Sequence, residues 1–397
     1  MKETKELRSG FTTGTCAAAA AKAAAKILFT GKKERITRIT TPKGTEAVLP
    51  LFQVEMTPER VSCGVVKDAG DDPDVTNGVT VFASVEYLDA GRESGEERKR
   101  WYFREPGLYL TGGPGIGVVT KPGLSCPVGK YAINPVPRQM ILDETESVAK
   151  EHRILRPLLI TVWIPAGIEL AEKTFNPRLG ILGGISILGT SGVVEPMSEA
   201  ALTATIRLEL HMKAVEGKKT TIVTPGNYGE AFLKETLGLS LKQGIQCSNF
   251  VADTMEMVAS EGMKTVLFVG HIGKLIKVAG GVRNTHSKYG DRRMEILWQC
   301  AEKSCRVDLR PQLKAAVMEA VTTEEAVRLL EEAGILSETM KEVVEKIRRH
   351  ITEWVEGKIQ LEVVTFSTGY GLLGMSEGAG EVIELLRRQE TEDERLR

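Results

Sequence analysis

The chain has 397 residues, a formal net charge of −1 at neutral pH and a hydrophobic fraction of 42%. That length favours two domains, each large enough for its own core, and the near-balanced charge argues against a nucleic-acid binder, which carries a basic excess. The six cysteines (Cys16, Cys63, Cys126, Cys247, Cys300 and Cys305) are scattered with no Cys-x-x-Cys pair, which points to a reducing compartment and to neither a disulfide framework nor a protein-held metal.

The charged N-terminus has no signal-like apolar core behind it, and no stretch is long enough to cross a bilayer, so a cytoplasmic protein without a membrane partner is expected. Thr15 reads as the cap of an alanine-rich helix running to about Phe29, with Gly31 just past its end. Cys16, Ala20, Ala23 and Ile27 share one face of that helix, while Lys22 and Lys26 lie away from it. Strands are expected over Arg35–Thr41, Glu46–Met56, Val61–Lys67 and Val79–Leu88, separated by turn-forming Pro, Gly, Asn and Asp. Gly91–Arg100 reads as a solvated hairpin tip and Leu108–Leu110 as a short strand. Pro137 suits the first turn of a helix ending near His152. The first domain, set at 1–155, is thus α+β, mostly β with a helix near each end.

From about Arg156 the pattern changes. Leu158–Ile164 is a continuous apolar run of the kind a buried parallel strand shows, and Ile185–Leu188 is a shorter one. Helices are expected near Ser198–Ala214, Tyr228–Leu237, Asn249–Glu261, Ile272–Ala279, Arg292–Lys303, Thr323–Glu332, Glu338–Glu356 and Glu381–Arg388. Strands at Thr220–Thr224, Thr265–Val269 and Leu361–Phe366 alternate with them, which makes 156–397 a Rossmann-like α/β domain. The charged tail from Gln389 is expected to fray.

Several segments compete as functional loops. Thr12, Thr13, Gly14 and Thr15 put hydroxyls at a helix N-terminus, which is either an ordinary cap or an anion site. Cys16 at the same place is either a reactive thiol or a buried filler. Four aspartates within Asp68–Asp74 fit a hard cation or an exposed turn, and the EF-hand spacing is absent. Three glycine-rich loops stand as cofactor sites. Gly112, Gly113, Gly115 and Gly117 follow a strand but lack a following helix. Gly189, Thr190, Ser191 and Gly192 best fit a strand–loop–helix context. Gly369, Gly371 and Gly374 match Gly-x-Gly-x-x-Gly but lie near the C-terminus, with no later strand to carry a ribose-binding acid. Pro225-Gly226-Asn227 and Gly270-His271-Ile272-Gly273-Lys274 sit where strands end, as ligand loops of open α/β sheets do. His271 and His286 are candidate general bases or structural histidines.

The run Leu7-Arg8-Ser9-Gly10-Phe11-Thr12-Thr13-Gly14-Thr15-Cys16, followed by Ala17–Ala21, closely resembles the N-terminal signature of the CbiD family. Four later blocks resemble the same family in order: Val66–Thr76; Gly112–Leu124 with Asn134–Arg138; Asn176–Gly180 with Gly183–Gly192; and His271–Lys274 through Gly280-Gly281. The resemblance implies a two-domain α/β enzyme of anaerobic cobalamin biosynthesis. Such an enzyme moves a methyl group from S-adenosylmethionine to C-1 of the tetrapyrrole cobalt-precorrin-5B, with cobalt carried by the substrate alone and a homo-oligomer compatible with the reading. Given that substrate, Lys121, Arg138, Arg178 and Arg283 are expected to meet its carboxylates, together with the Thr12, Thr13 and Thr15 helix end. The Gly189–Gly192 loop is the favoured donor site, with Gly112–Gly117 its rival, and His271 is the expected base. The competing readings are a non-catalytic carrier of corrin intermediates and a nucleotide-dependent enzyme using the C-terminal glycine loop.

Overall fold

The computed structural model describes residues 7–88, 96–226, 228–241 and 244–395. The chain divides into two units between Glu199 and Ala200, not at 155/156. The reason lies in Leu158–Trp163. It pairs parallel with Leu108–Gly112 and antiparallel with Thr80–Tyr87, so it is an inner strand of the first unit's sheet. Its apolar run reflects burial on both faces, which a strand of an α/β domain would share. Gly184–Ile185 and Val193–Val194 pair with Gly115–Ile116 and Gly10–Phe11 and hold 181–194 in the same unit.

The first unit's six-stranded sheet has the order Phe52–Met56, Arg60–Val66, Thr80–Tyr87, Leu158–Trp163, Leu108–Gly112, Tyr102–Arg104. Glu46–Met56 is two strands, Glu46–Pro50 pairing with Ile36–Thr40 and Phe52–Met56 entering the large sheet. Of the expected hairpin tip, residues 91–95 lie outside the described residues, and Glu96–Arg100 forms a 3-10 turn. The helices Thr13–Thr30 and Pro135–Glu151 pack on each other and share one core with the sheet. The first begins three residues earlier than expected and is capped by Thr12, whose hydroxyl accepts the Thr15 N–H; Gly31 at φ 67° ends it. It is buried almost all round rather than along one stripe. Ala17–Ala21 and Ala23–Ala25 are inaccessible, because side chains this small let neighbouring backbones approach from several sides. Lys22 escapes by pairing with Glu144 at 2.9 Å and Lys26 with Glu34 at 2.6 Å.

The second unit is a doubly wound α/β sheet in the order Gly244–Gln246, Thr220–Thr224, Thr265–His271, Gln360–Ser367, Gly371–Met375. The first four strands are parallel and the last is antiparallel. Side chains alternate between two cores. Val266 and Phe268 face one with the helices Ile272–Ala279 and Leu336–Trp354, while Leu267 and Val269 face the other with Tyr228–Glu235 and Ala379–Arg395. The tail expected to fray is helical to Arg395. Lys218 pairs with Asp393 at 2.7 Å, and Glu390 accepts the Ser240 N–H. No helix among the described residues is long and apolar enough to cross a membrane.

Candidate functional site

The threonine signature and the Gly189–Gly192 loop, expected to hold different ligands, form one seam in the first unit. The Gly14 N–H donates to the Leu188 carbonyl at 2.9 Å and the Cys16 N–H to the Thr12 carbonyl at 3.1 Å. The Thr15 hydroxyl donates to the Gly192 carbonyl at 2.6 Å, and Thr13 Oγ1 accepts the Leu188 N–H at 3.0 Å. With the Thr15 N–H on Thr12, the amides of 14, 15 and 16 all have protein partners. Gly189 and Gly192, at φ 130° and 77°, are glycines because a Cβ would overlap Thr12 and Thr41. No helix follows directly. Ser191 turns the chain by bonding Val193, whose strand pairs with Gly10–Phe11. The Gly189–Gly192 stretch is thus packed closely against the Thr12–Thr15 helix start.

The rival loop is packed in the same way. Gly113 donates to Val162 O, Gly117 to Ile185 O, and Gly115–Ile116 pairs parallel with Gly184–Ile185. A Cβ on Gly115 would overlap the Ile164 carbonyl oxygen and one on Gly112 the Tyr131 ring. These glycines let chains cross at close range. The aspartate run is likewise engaged. Asp68 binds both Arg8 guanidinium nitrogens, at 2.5 and 2.9 Å, and that hydrogen bonding holds its carboxyl down at about 2. Asp71 accepts the Arg8 N–H, Asp72 the Met197 N–H, and Asp74 the ammonium of buried Lys67 at 2.6 Å.

The basic candidates separate into different places. Arg138 lies over the Tyr102 ring at 4.2 Å, and Lys130, which the sequence reading passed over, lies over the same ring at 5.6 Å. No carboxylate among the described residues pairs with either. Burial, then the charge of Arg138, depresses the Lys130 pKa. Two cations converging on a buried aromatic without a counter-ion form an anion-seeking corner. The Lys121 stem crosses Gly180, which brings it to the Asn176–Gly180 turn that carries Arg178 over Phe175 at 5.8 Å. Arg283 belongs to the second unit, where it is paired with Glu256 and lies over Trp354 at 5.3 Å.

His271 ends the strand Thr265–His271 and caps the helix Ile272–Ala279. Its Nδ1 accepts the Gly273 N–H at 3.1 Å, which leaves the proton on Nε2, directed at Glu324 Oε1 at 3.3 Å. Both nitrogens are engaged in this structure. At His286, which is exposed, Nδ1 accepts the Lys288 N–H at 3.1 Å. Glu324 also accepts the Thr368 N–H at 3.1 Å and the Ser367 hydroxyl at 3.2 Å. Nearby, Lys274 donates to Asn249 Oδ1 at 2.9 Å, and burial lowers its pKa. The Tyr228 ring packs 5.7 Å from His271 with two-thirds of its surface exposed. Asn227, between Gly226 and Tyr228, lies outside the described residues. The Gly369–Gly374 match to Gly-x-Gly-x-x-Gly runs from Ser367 into an antiparallel strand, not into a helix, so no dinucleotide cradle forms there.

Burial pushes the thiols of Cys16, Cys63 and Cys247 up to about 12. All six cysteines are buried and reduced. The native protein is therefore expected to react with fewer than one equivalent of a thiol reagent at pH 7.5 over minutes, and with six after denaturation. Rapid native labelling of Cys16 would restore it as a nucleophile.

A family model described as CbiD matches residues 1–196, and one described as CbiD, C-terminal domain, matches 284–377. A protein of Alkaliphilus metalliredigens named cobalt-precorrin-5B C(1)-methyltransferase is 41% identical over 99% of both chains. One of the same name from Thermoanaerobacter sp. is 42% identical over 97% of this chain and 98% of its own. A crystal structure of the cobalamin biosynthesis protein cbiD from Archaeoglobus fulgidus is 25% identical, covering 69% of this chain and 80% of that one, at a TM-score of 0.35.

Proposed function

The chain belongs to the CbiD family, and from that premise we propose that it methylates C-1 of cobalt-precorrin-5B with S-adenosylmethionine, giving cobalt-precorrin-6A in anaerobic cobalamin biosynthesis. The observation that carries this reading is the identity of about two residues in five along almost the whole of both chains, which leaves neither unit outside the likeness. A macrocycle carbon supplies the electron pair for the new C–C bond while the methyl–sulfur bond breaks, and S-adenosylhomocysteine leaves. No covalent enzyme intermediate is needed, which suits a protein whose thiols are buried. The protein's task is to hold two ligands in line, a contribution worth roughly 7–11 kcal/mol in well-aligned systems.

The substrate's acetate and propionate groups are polyanionic, and the Arg138–Lys130 corner offers two cations without a counter-ion. Lys121 and Arg178, gathered at the Asn176–Gly180 turn, make a second basic group for another carboxylate. Cobalt enters and leaves with the substrate. Arg138→Ala is expected to raise KM for the macrocycle 10- to 100-fold, the loss of a charge-assisted hydrogen bond worth about 1.5–3 kcal/mol, with KM for the methyl donor unchanged. Equal changes in both constants would argue against a carboxylate contact.

Incubating the protein with cobalt-precorrin-5B and methyl-labelled S-adenosylmethionine tests the whole reading. Label in the macrocycle with release of S-adenosylhomocysteine is expected. Tight macrocycle binding with no label transfer would instead identify a carrier of corrin intermediates.

A further inference from the structure

The parallel strands of the second unit run 2-1-3-4 in chain order across the sheet. Thr220–Thr224 therefore lies beside Thr265–His271, and the helices that follow these two strands pack on opposite faces. Tyr228–Glu235 joins the core containing Leu267 and Val269, and Ile272–Ala279 the core containing Val266 and Phe268. Departure to opposite sides opens a crevice at the carboxyl ends of the two strands, where open α/β sheets bind ligands.

What lines this edge is polar in a graded way. On one side stands Lys274, half-buried, its ammonium next to Gly226, whose φ of 75° and missing side chain leave room for it. Its oxygen partner, Asn249 Oδ1, is neutral and also receives the Thr285 hydroxyl at 3.3 Å. No carboxylate among the described residues pairs with it. On the other side stands Glu324, one-third exposed, fixed by donors from His271, Ser367 and Thr368. The exposed Tyr228 ring packs against His271, the residue whose Nε2 faces Glu324. A packed scaffold gains nothing from an unneutralised, partly desolvated cation or an uncovered aromatic. A ligand with an anionic end, a flat ring and hydroxyl donors compensates all three.

We infer that this crevice holds the methyl donor. The carboxylate of its amino-acid portion meets Lys274, its adenine lies against Tyr228, and its ribose hydroxyls donate to Glu324. The assignment rests on the methyl-transfer reading above and gives His271 a positioning role, since its Nε2–H fixes the Glu324 carboxylate.

Calorimetry of the full chain with S-adenosylhomocysteine and, separately, with adenosine tests this. Lys274→Ala is expected to weaken S-adenosylhomocysteine at least 10-fold and to leave adenosine unchanged. Tyr228→Ala, an exposed position whose folding is checked by melting temperature, should weaken both at least 5-fold. Wild-type binding of S-adenosylhomocysteine that survives both substitutions would overturn the crevice while leaving the methyl-transfer reading intact. Equal loss of both ligands in Lys274→Ala would overturn the carboxylate assignment. A wild type that binds no S-adenosylhomocysteine and transfers no label would count against the methyl-transfer reading itself.

Discussion

Asp74→Ala is expected to destabilise the first unit by about 3–5 kcal/mol, the range for breaking a buried ion pair by removing one partner. Lys67 is 2% exposed, and its ammonium meets Asp74 Oδ2 at 2.6 Å. Asp74 Oδ1 takes both the Thr76 N–H at 2.7 Å and the Thr76 hydroxyl at 2.6 Å. Removing the carboxylate strands a buried charge and two donors. Lys67→Met added to Asp74→Ala should recover at least half of the loss, because the stranded ammonium goes with it. Urea denaturation of the three proteins checks this, and a midpoint in Asp74→Ala equal to wild type would show that the ammonium reaches water.

The same group sets a pH dependence. Burial alone would raise the Asp74 pKa, but the hydrogen bonds from Lys67 and Thr76 outweigh it, and the folded-state value is depressed. A depressed carboxylate stabilises fully above its unfolded value of about 3.9. That contribution is lost as pH falls from there through the folded value. Wild-type stability should therefore decline below about pH 4 more steeply than that of the double variant, whereas between pH 6 and 8 the two should run parallel.

How much of this was legible in sequence depends on whether the signal was local. Ile272–Ala279 and Thr323–Glu332 form as read because their apolar periodicity reports directly on the core they face, and Thr220–Thr224 does so as a short β-branched run buried throughout. The helix Arg310–Glu319 escaped notice because Val317 is its buried residue, too little to make a stripe. Gly371–Met375 escaped because an exposed edge strand flanked by glycines carries no alternation. The unit boundary was misplaced because a strand buried on both faces looks alike in an α/β and an α+β sheet. The site residues follow the same divide. Thr12–Thr15 and the glycine loops were visible as unusual sequence, but their partners lie as much as 180 residues away, and only tertiary packing separates a crossing of chains from a ligand cradle. Lys130 was invisible for the opposite reason, and Lys274 was visible only as part of the Gly270–Lys274 loop. Nothing marks a lysine in sequence until the structure shows that no carboxylate comes to meet it.

Gly115→Ala carries that distinction between packing and binding to a measurement, and is expected to cost the first unit more than about 3 kcal/mol. Two penalties add. The φ of 81° is left-handed, which costs a side-chain-bearing residue roughly 1–2 kcal/mol. The new methyl would also overlap the Ile164 carbonyl oxygen and press on Gly167, both backbone groups that cannot rotate away as a side chain could. Gly129→Ala isolates the first penalty. Its φ is 83°, in the same unit, yet nothing lies within 4 Å of the added carbon. It should cost about 1–2 kcal/mol, leaving the difference between the two variants as the steric part. The ligand reading of Gly112–Gly117 makes the reverse forecast, since a glycine kept open for a bound donor can be filled with little loss of stability and a large loss of affinity. Thermal melting of both variants, paired with S-adenosylhomocysteine calorimetry on whichever remains folded, separates the two. A Gly115→Ala protein that melts like Gly129→Ala but no longer binds the donor would return the methyl donor to the first unit and remove it from the edge of the second unit's sheet.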